Sequence, residues 1–181
     1  MSARPSRPGG ADGSGGREAI LPLVPNLRAY ARSLTGGDAE AADDLVQDTV
    51  ERALSRFHLW RQGSDLRAWL FTIMHNIYVN QTRSRIRHPH EPLDESAAED
   101  LHMREPDWGV LRDIEEALGR LPAEQRSVLL LVGLEQFTYE EAARVLEIPL
   151  GTVMSRLSRG RERLRVLLYG ETRTATLKVV K

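Results

Sequence analysis

The chain has 181 residues, with 25 Lys and Arg against 26 Asp and Glu, a formal net charge of −1, five histidines and no cysteine. The absence of cysteine excludes disulfides, thiolate zinc sites and cysteine nucleophiles. The histidines show no ligand spacing, so neither a metal nor a cofactor is expected. The length suits one or two small domains, and no apolar run is long enough to span a bilayer.

Residues 1–17 are polar and glycine-rich and lack the pattern of a signal peptide, so they read as a disordered tail. Without a leader or cysteine, the chain fits a reducing cytoplasm. A first helical part spans 18–88. Leu23, Leu27, Tyr30 and Leu34 space out one helix, stopped by Gly36-Gly37. Asp38 opens the next, with Val46, Val50, Ala53, Leu54 and Phe57 on its buried side. Asp44, Gln47, Asp48 and Glu51 line its opposite face at i, i+3, i+4 and i+7. A loop from His58 to Asp65 leads to a third helix over Leu66–Arg87, buried through Leu66, Trp69, Leu70, Ile73 and Ile77. Phe71, His75, Tyr78 and Thr82 fall on the face opposite that core. Exposed aromatics beside a basic end (Arg83, Arg85, Arg87) suit single-stranded nucleic acid. The same spacing also fits a stripe packed on the first helix or on a partner protein.

Residues 89–107 form a flexible acidic linker with prolines. A second helical part follows over 108–169, and residues 170–181 read as a tail. Leu111, Ile114, Leu118 and Leu121 mark one helix, and Val128, Leu131 and Val132 mark another behind Pro122. Thr138 and Glu141 form a capping-box pair at the start of a short helix. Glu147-Ile148-Pro149 breaks it. The last helix runs from Leu150 to about Leu168, with Val153, Leu157, Gly160 and Leu164 on one side. Gly151, Ser155, Ser158 and Arg159 lie opposite, flanked by Thr152 and Met154, with Arg156 at the boundary. Small and hydroxylated residues at a helix start, followed by arginines, fit a helix-turn-helix entering a DNA major groove. No strand pattern of useful length appears, so the expected fold is all-α: two small helical domains and a linker.

The near-zero net charge hides strong segregation. Residues 38–51 and 91–107 are acidic, whereas 83–88 and 156–165 are basic. No nucleophile–base pair, metal cluster or phosphate loop is present, which argues against an enzyme and leaves no catalytic residue to name.

These segments together resemble a sigma factor of the extracytoplasmic-function (ECF) type, within the sigma-70 family. The first part is similar to sigma region 2 through DDLVQDTVERAL (43–54) and LRAWLFTIMHNIYVNQTRSR (66–85). The second is similar to sigma region 4 through LGRLPAEQRSVLLL (118–131), TYEEAARVL (138–146) and GTVMSRLSRGRERL (151–164). LVG (131–133) and FTYEEAA (137–143) also resemble the general-stress subgroup. The resemblance implies that Asp44, Gln47, Asp48 and Glu51 face core RNA polymerase, at the clamp helices of its β′ subunit, with the β subunit a further contact. It implies −10 element contacts from Arg61, Asp65, Phe71, His75, Asn76, Tyr78, Asn80, Arg83 and Arg85, with the 58–65 loop capturing a flipped base. It implies −35 contacts from Gly151, Thr152, Met154, Ser155, Arg156, Ser158 and Arg159. It also implies promoter DNA, duplex and single-stranded, and an anti-sigma factor as partners.

Three positions depart from the family pattern. Glu147 stands where glycine is usual, so it either takes a left-handed conformation at a cost of ~1 kcal/mol or the turn differs. Met154 and Val132 stand where basic residues are frequent, which predicts an altered −35 preference. Two other readings fit parts of the chain. An ordinary helix-turn-helix regulator leaves the acidic and aromatic stripes unexplained. A sigma mimic that titrates an anti-sigma factor is expected to lose the recognition-helix arginines, which this chain retains.

Overall fold

The computed structural model describes residues 13–87 and 108–170. The linker at 89–107, residues 1–12 of the expected N-terminal tail and residues 171–181 lie outside the described residues, as does the Arg85 side chain. Eight α-helices and no strand occur among the described residues. Residues 13–17, expected in the tail, belong instead to a helix, α1 (Gly13–Ile20), anchored by Ile20 at 1% exposure. A 3-10 turn at Leu21–Leu23 leads into α2 (Val24–Leu34), whose first turn tolerates Pro25 because its missing N–H would have no helical partner. Gly36 and Gly37 end this helix at φ 76° and 92°, angles that only glycine adopts cheaply.

Asp38 then caps α3 (Ala39–Ser55), its carboxylate accepting from the Ala41 N–H at 3.0 Å. Phe57, expected inside this helix, belongs to a short 3-10 turn at Phe57–Leu59. Asp65 starts α4 (Leu66–Arg87) in the same way, accepting from the Ala68 N–H at 3.0 Å. Four helices complete the chain: α5 (Trp108–Gly119), α6 (Ala123–Gly133), α7 (Tyr139–Leu146) and α8 (Leu150–Tyr169).

Helices α2, α3 and α4 bury Leu27, Tyr30, Leu34, Leu45, Leu70 and Met74 between them, all at 0% exposure. Helices α6, α7 and α8 bury Val128, Leu131, Val145, Val153 and Leu157. Helices α6 and α8 come together at Gly160, where a Cβ would lie 2.9 Å from Leu129 Cδ1 and 3.3 Å from Gln125 Cβ. The two halves do not stand apart. Helix α7 packs on α4, and α2 packs on α5 and α6, so one hydrophobic cluster runs through both.

That junction explains the main difference from the sequence-based expectation. Of the two readings of the Phe71 stripe, open to nucleic acid or packed on the first helix or a partner, Phe71 follows the packed one: it is 0% exposed. Its ring makes edge contacts with Tyr30 at 5.1 Å and with Phe137 at 5.3 Å between centroids. Both sides of α4 carry apolar residues because more than one helix packs along it: α3 and α7 both do, and Tyr30 of α2 reaches Phe71. Leu66, Trp69 and Ile73, expected at the core centre, are only half-buried, while Phe71 and Met74 are fully enclosed. Tyr78 is half-buried and packs against the core. His75 is also largely enclosed, with Nδ1 buried and unpaired. Burial, and secondarily the Arg156 charge, pushes its imidazole down to about 4.

Polar groups fix the register of this junction. Arg126, 9% exposed, donates from Nη1 to the Leu34 carbonyl at 2.6 Å and from Nη2 to the Leu121 carbonyl at 3.0 Å. Arg67 donates to the carbonyl of Glu135 and, at 2.9 Å, to its carboxylate. Its guanidinium lies 4.1 Å from the centre of the Phe137 ring.

Two outcomes follow from the packing. Gly160→Val is expected to destabilise the fold by about 1–3 kcal/mol through overpacking against Leu129 and Gln125, measured by urea denaturation. Gly151→Ala, whose Cβ meets nothing within 4 Å, is expected to stay within about 0.5 kcal/mol of the parent. A further outcome concerns pH. His75 titrates near its ordinary value when unfolded and about 4 when folded, so the unfolded chain binds the proton more readily. The stability from keeping His75 neutral is present above about pH 6.5 and is lost as pH falls toward 4. Between pH 7 and 5 the parent is expected to lose of order 1 kcal/mol more than a His75→Asn variant, measured by denaturation at the two pH values.

Candidate nucleic-acid interface

The α7–turn–α8 unit is built from local signals. The Thr138 hydroxyl accepts from the Glu141 N–H at 3.2 Å, and the Glu141 carboxylate accepts from the Thr138 N–H at 2.8 Å, completing the capping box. These hydrogen bonds hold the Glu141 carboxyl below its ordinary range. Glu147 ends α7 at φ 53° and ψ 42°, the left-handed conformation expected of a glycine there. The Ile148 N–H donates back to the Ala143 carbonyl at 3.1 Å. Pro149 then launches α8.

The outer side of α8 is open to solvent. Gly151, Met154, Ser155, Ser158 and Arg159 are exposed, and Thr152 is half-buried. Met154, at 52% exposure, shares a shallow groove with Tyr139, Leu157, Ser158, Arg161 and Glu162. Arg159 curls back along its own helix, donating from Nε to the Ser155 carbonyl at 3.2 Å. Such an exposed contact is weak and leaves the guanidinium free to extend. Arg156 is placed differently. It turns toward α6, with Nη2 3.5 Å from Glu124 Oε2 and only 26% of its side chain exposed. It faces the junction rather than the outer surface, because one residue after Ser155 the helix has turned by about 100° away from the Ser155–Arg159 ridge. Val132 packs against the core and does not stand on the surface as a basic residue at that position would.

The acidic face of α3 is fully presented. Asp44, Gln47, Asp48 and Glu51 are all exposed. Gln47 donates to Glu51 at 2.9 Å, and Gln81 of α4 donates to Asp48 at 3.1 Å. Most of the carboxylate oxygens therefore remain available to an outside cation. Asp43, next to this face, pairs with Arg28 at 3.1 Å.

The residues expected to meet single-stranded DNA separate into two groups. Phe71 is fully enclosed, and His75 and Tyr78 are half-buried against the core and the junction. Asn76, Asn80 and Arg83 are exposed and, at i, i+4 and i+7, share one outward face of α4. Arg61 is exposed on the preceding loop, and Asp65 is committed as the α4 cap. Periodicity alone did not single out Asn76 and Asn80 for this outward face. It did not single out Arg67, Arg126 or Glu135, because a lone charge on a helix or in a turn carries no sign of a partner distant in sequence.

No helix among the described residues is long and apolar enough to cross a membrane, and no group of His, Asp and Glu among them is arranged to hold a metal. The chain matches two family models in order: "Sigma2 domain of PhyR" over residues 20–75 and "Sigma-70, region 4" over residues 111–164. It is 44% identical over 156 residues to the ECF RNA polymerase sigma factor EcfG of Rhodopseudomonas palustris, covering 84% of each chain. It is 32% identical over 142 residues to the ECF RNA polymerase sigma factor SigM of Mycobacterium tuberculosis, covering 78% of this chain and 71% of that one. Among solved structures it resembles the sigma factor RpoE of Bartonella quintana in complex with the anti-sigma factor NepR. That likeness has a TM-score of 0.70 and 38% identity, over 84% of this chain and 95% of that one. The exposed acidic face, the capped helix-turn-helix and these matches along most of the chain have one common account: the protein belongs to the ECF RNA polymerase sigma factors and is a transcription initiation factor, not an enzyme.

Proposed function

We propose that this sigma factor works in the bacterial cytoplasm, binding core RNA polymerase through the acidic face of α3 and reading the −35 element with the outer side of α8. The 58–65 loop and the outward face of α4 read and melt the −10 element. The observation that carries the reading is the opposite charge of two fully exposed helix faces. Asp44, Asp48 and Glu51 on α3 suit basic polymerase helices, and the arginine-bearing side of α8 suits DNA. Complementary charge of this kind sets encounter rate and register more than affinity. The −35 contacts come from Gly151, Thr152, Met154, Ser155, Ser158 and Arg159, with Arg156 acting from the junction side. The −10 contacts come from Arg61, Asn76, Asn80 and Arg83, with Arg85 continuing the basic end.

The compact arrangement also suggests how the protein is silenced. With α7 and the 135–137 turn laid over α4, the first half cannot present the side of that helix that carries Phe71. A partner that favours this packing holds the factor idle, and the similar RpoE was solved bound to an anti-sigma factor. An anti-sigma factor is therefore the expected regulator of this chain.

A second reading draws on one specific observation. The first half matches the sigma-like domain of PhyR, and PhyR of Bartonella quintana is described as an anti-anti-sigma factor in a structure with a similar fold. A mimic of that kind binds the anti-sigma factor and no promoter. The retained, exposed Arg159 and Arg161 on α8 favour the promoter-binding reading.

Run-off transcription with core polymerase separates the two. A true sigma factor yields transcripts from a matching promoter. Core binding without transcripts supports the mimic, and promoter binding without affinity for core supports an ordinary regulator. Within the same assay, Arg159→Ala is expected to weaken −35-dependent initiation by an equivalent of about 1–3 kcal/mol. Unchanged −35 dependence in that variant would remove the base contact.

A further inference from the structure

We propose that α1 braces the loop between α3 and α4, and that Gly16 is a positioning residue for −10 recognition. The inference rests on the reading of that loop as the −10 reader. The loop has little of its own to hold it. Its tip is a turn in which the Ser64 N–H donates to the Arg61 carbonyl at 3.0 Å and Gly63 takes φ 87°. A Cβ added at Gly63 would meet nothing within 4 Å, and Leu59 is 68% exposed. The shape of the loop is therefore set at its two ends. At one end Asp65 is fixed as the cap of α4.

The other end is an aromatic stack that stands on α1. Gly16 is buried. A Cβ there would lie 2.9 Å from Phe57 Cγ, 3.0 Å from Cδ1 and 3.3 Å from Cδ2. The Phe57 ring thus lies against the bare backbone of α1, at a distance no side chain permits. Phe57 in turn meets Trp60 at 5.3 Å, tilted 31°, and Trp69 edge-on at 6.4 Å. Trp60 is the residue at which the chain leaves the 3-10 turn in extended conformation and enters the loop. Contact therefore passes from Gly16 to Phe57, from Phe57 to Trp60, and from Trp60 to the loop. Packed aromatic stacks transmit displacement because they have no slack to absorb it. A capture loop must also be held close to its working geometry before the strand arrives. Any side chain at position 16 pushes the ring, and with it the start of the loop, while leaving the α3 acidic face and α8 untouched.

The experiment compares the full-length protein with Gly16→Val, bound to core polymerase on a matching promoter. Three quantities are read: affinity for core, binding to −35 duplex, and strand opening at the −10 element by permanganate reactivity of unpaired thymines. The expected result is a several-fold loss of opening with the other two unchanged, a smaller loss for Gly16→Ala, and recovery when Phe57→Leu is added to Gly16→Val. Normal opening in Gly16→Val, a parallel loss of core affinity, or no recovery on shortening Phe57 would each overturn the brace. Arg61→Ala combined with Gln62→Ala tests the underlying reading on its own. If opening survives that change at the loop tip, the assignment of the loop to the −10 element falls. If the tip matters and Gly16 does not, only the brace falls.

Discussion

Arg67 sits where the two halves of the molecule meet, its guanidinium bonded to the backbone and carboxylate of Glu135 and lying over the Phe137 ring. Glu135 is 4% exposed while the Arg67 side chain keeps 31%, so this is a part-buried ion pair, and its net contribution is small. The cost of drying both charges offsets most of their attraction. Its importance lies in what it forbids. A half-buried guanidinium and an enclosed carboxylate tolerate one register of α4 against the 135–137 turn, and sliding the halves would leave one charge unpaired. The cohesion comes from beside it, where Phe71 packs between Tyr30 and Phe137. Arg126 repeats this division at the other end of the junction. It ties itself to the Leu34, Gly119 and Leu121 carbonyls across two helices, while its neighbours Val128 and Leu131 supply the apolar burial.

This geometry makes the junction specific without making it permanent. When both charges of a pair pass into water together, each regains its hydration, so separating the halves costs far less than deleting one partner inside the closed form. What separation must supply is the burial of the aromatic and aliphatic side chains along α4, α2, α6 and α7. His75 lies in the same layer with an unpaired buried nitrogen. Helix α4 is thus shared. One side packs against the first half, and the other against α7 and the 135–137 turn.

The sequence carried the parts of the fold that are decided locally. The Thr138–Glu141 capping box, the Gly36-Gly37 stop, the Asp38 cap and the acidic ridge on α3 depend on residues within a turn or two of each other, and each stands where the spacing placed it. The left-handed Glu147 was legible as an alternative, because the break before Pro149 demands a reversal of the chain. The aromatic stripe on α4 was not legible in the same way. Spacing showed that Phe71, His75 and Tyr78 share a side of a helix, and it could not show that Phe137, 66 positions away, lies across from it. The arginines tell the same story. Arg67 and Arg126 have nothing in their local sequence to separate them from Arg159, yet two are enclosed at a junction and one is open to solvent. Helix α1 was missed because its glycines read as disorder, while Gly16 is there to let Phe57 approach.

A polymerase or a promoter can shift this molecule from closed to open only through a difference in affinity for the two arrangements. The acidic face of α3 and the outer side of α8 are exposed in both, so contacts made there alone hold the protein without biasing it. The bias must come from groups that become available only on separation: the covered side of α4, the Phe137 ring and the inward face of Arg156. A ligand that engages the exposed faces simultaneously acts differently, because it can impose a distance between them that the closed form does not satisfy. An anti-sigma factor needs only the opposite preference. To move such an equilibrium from one strongly dominant state to the other takes about 5.5 kcal/mol of differential binding.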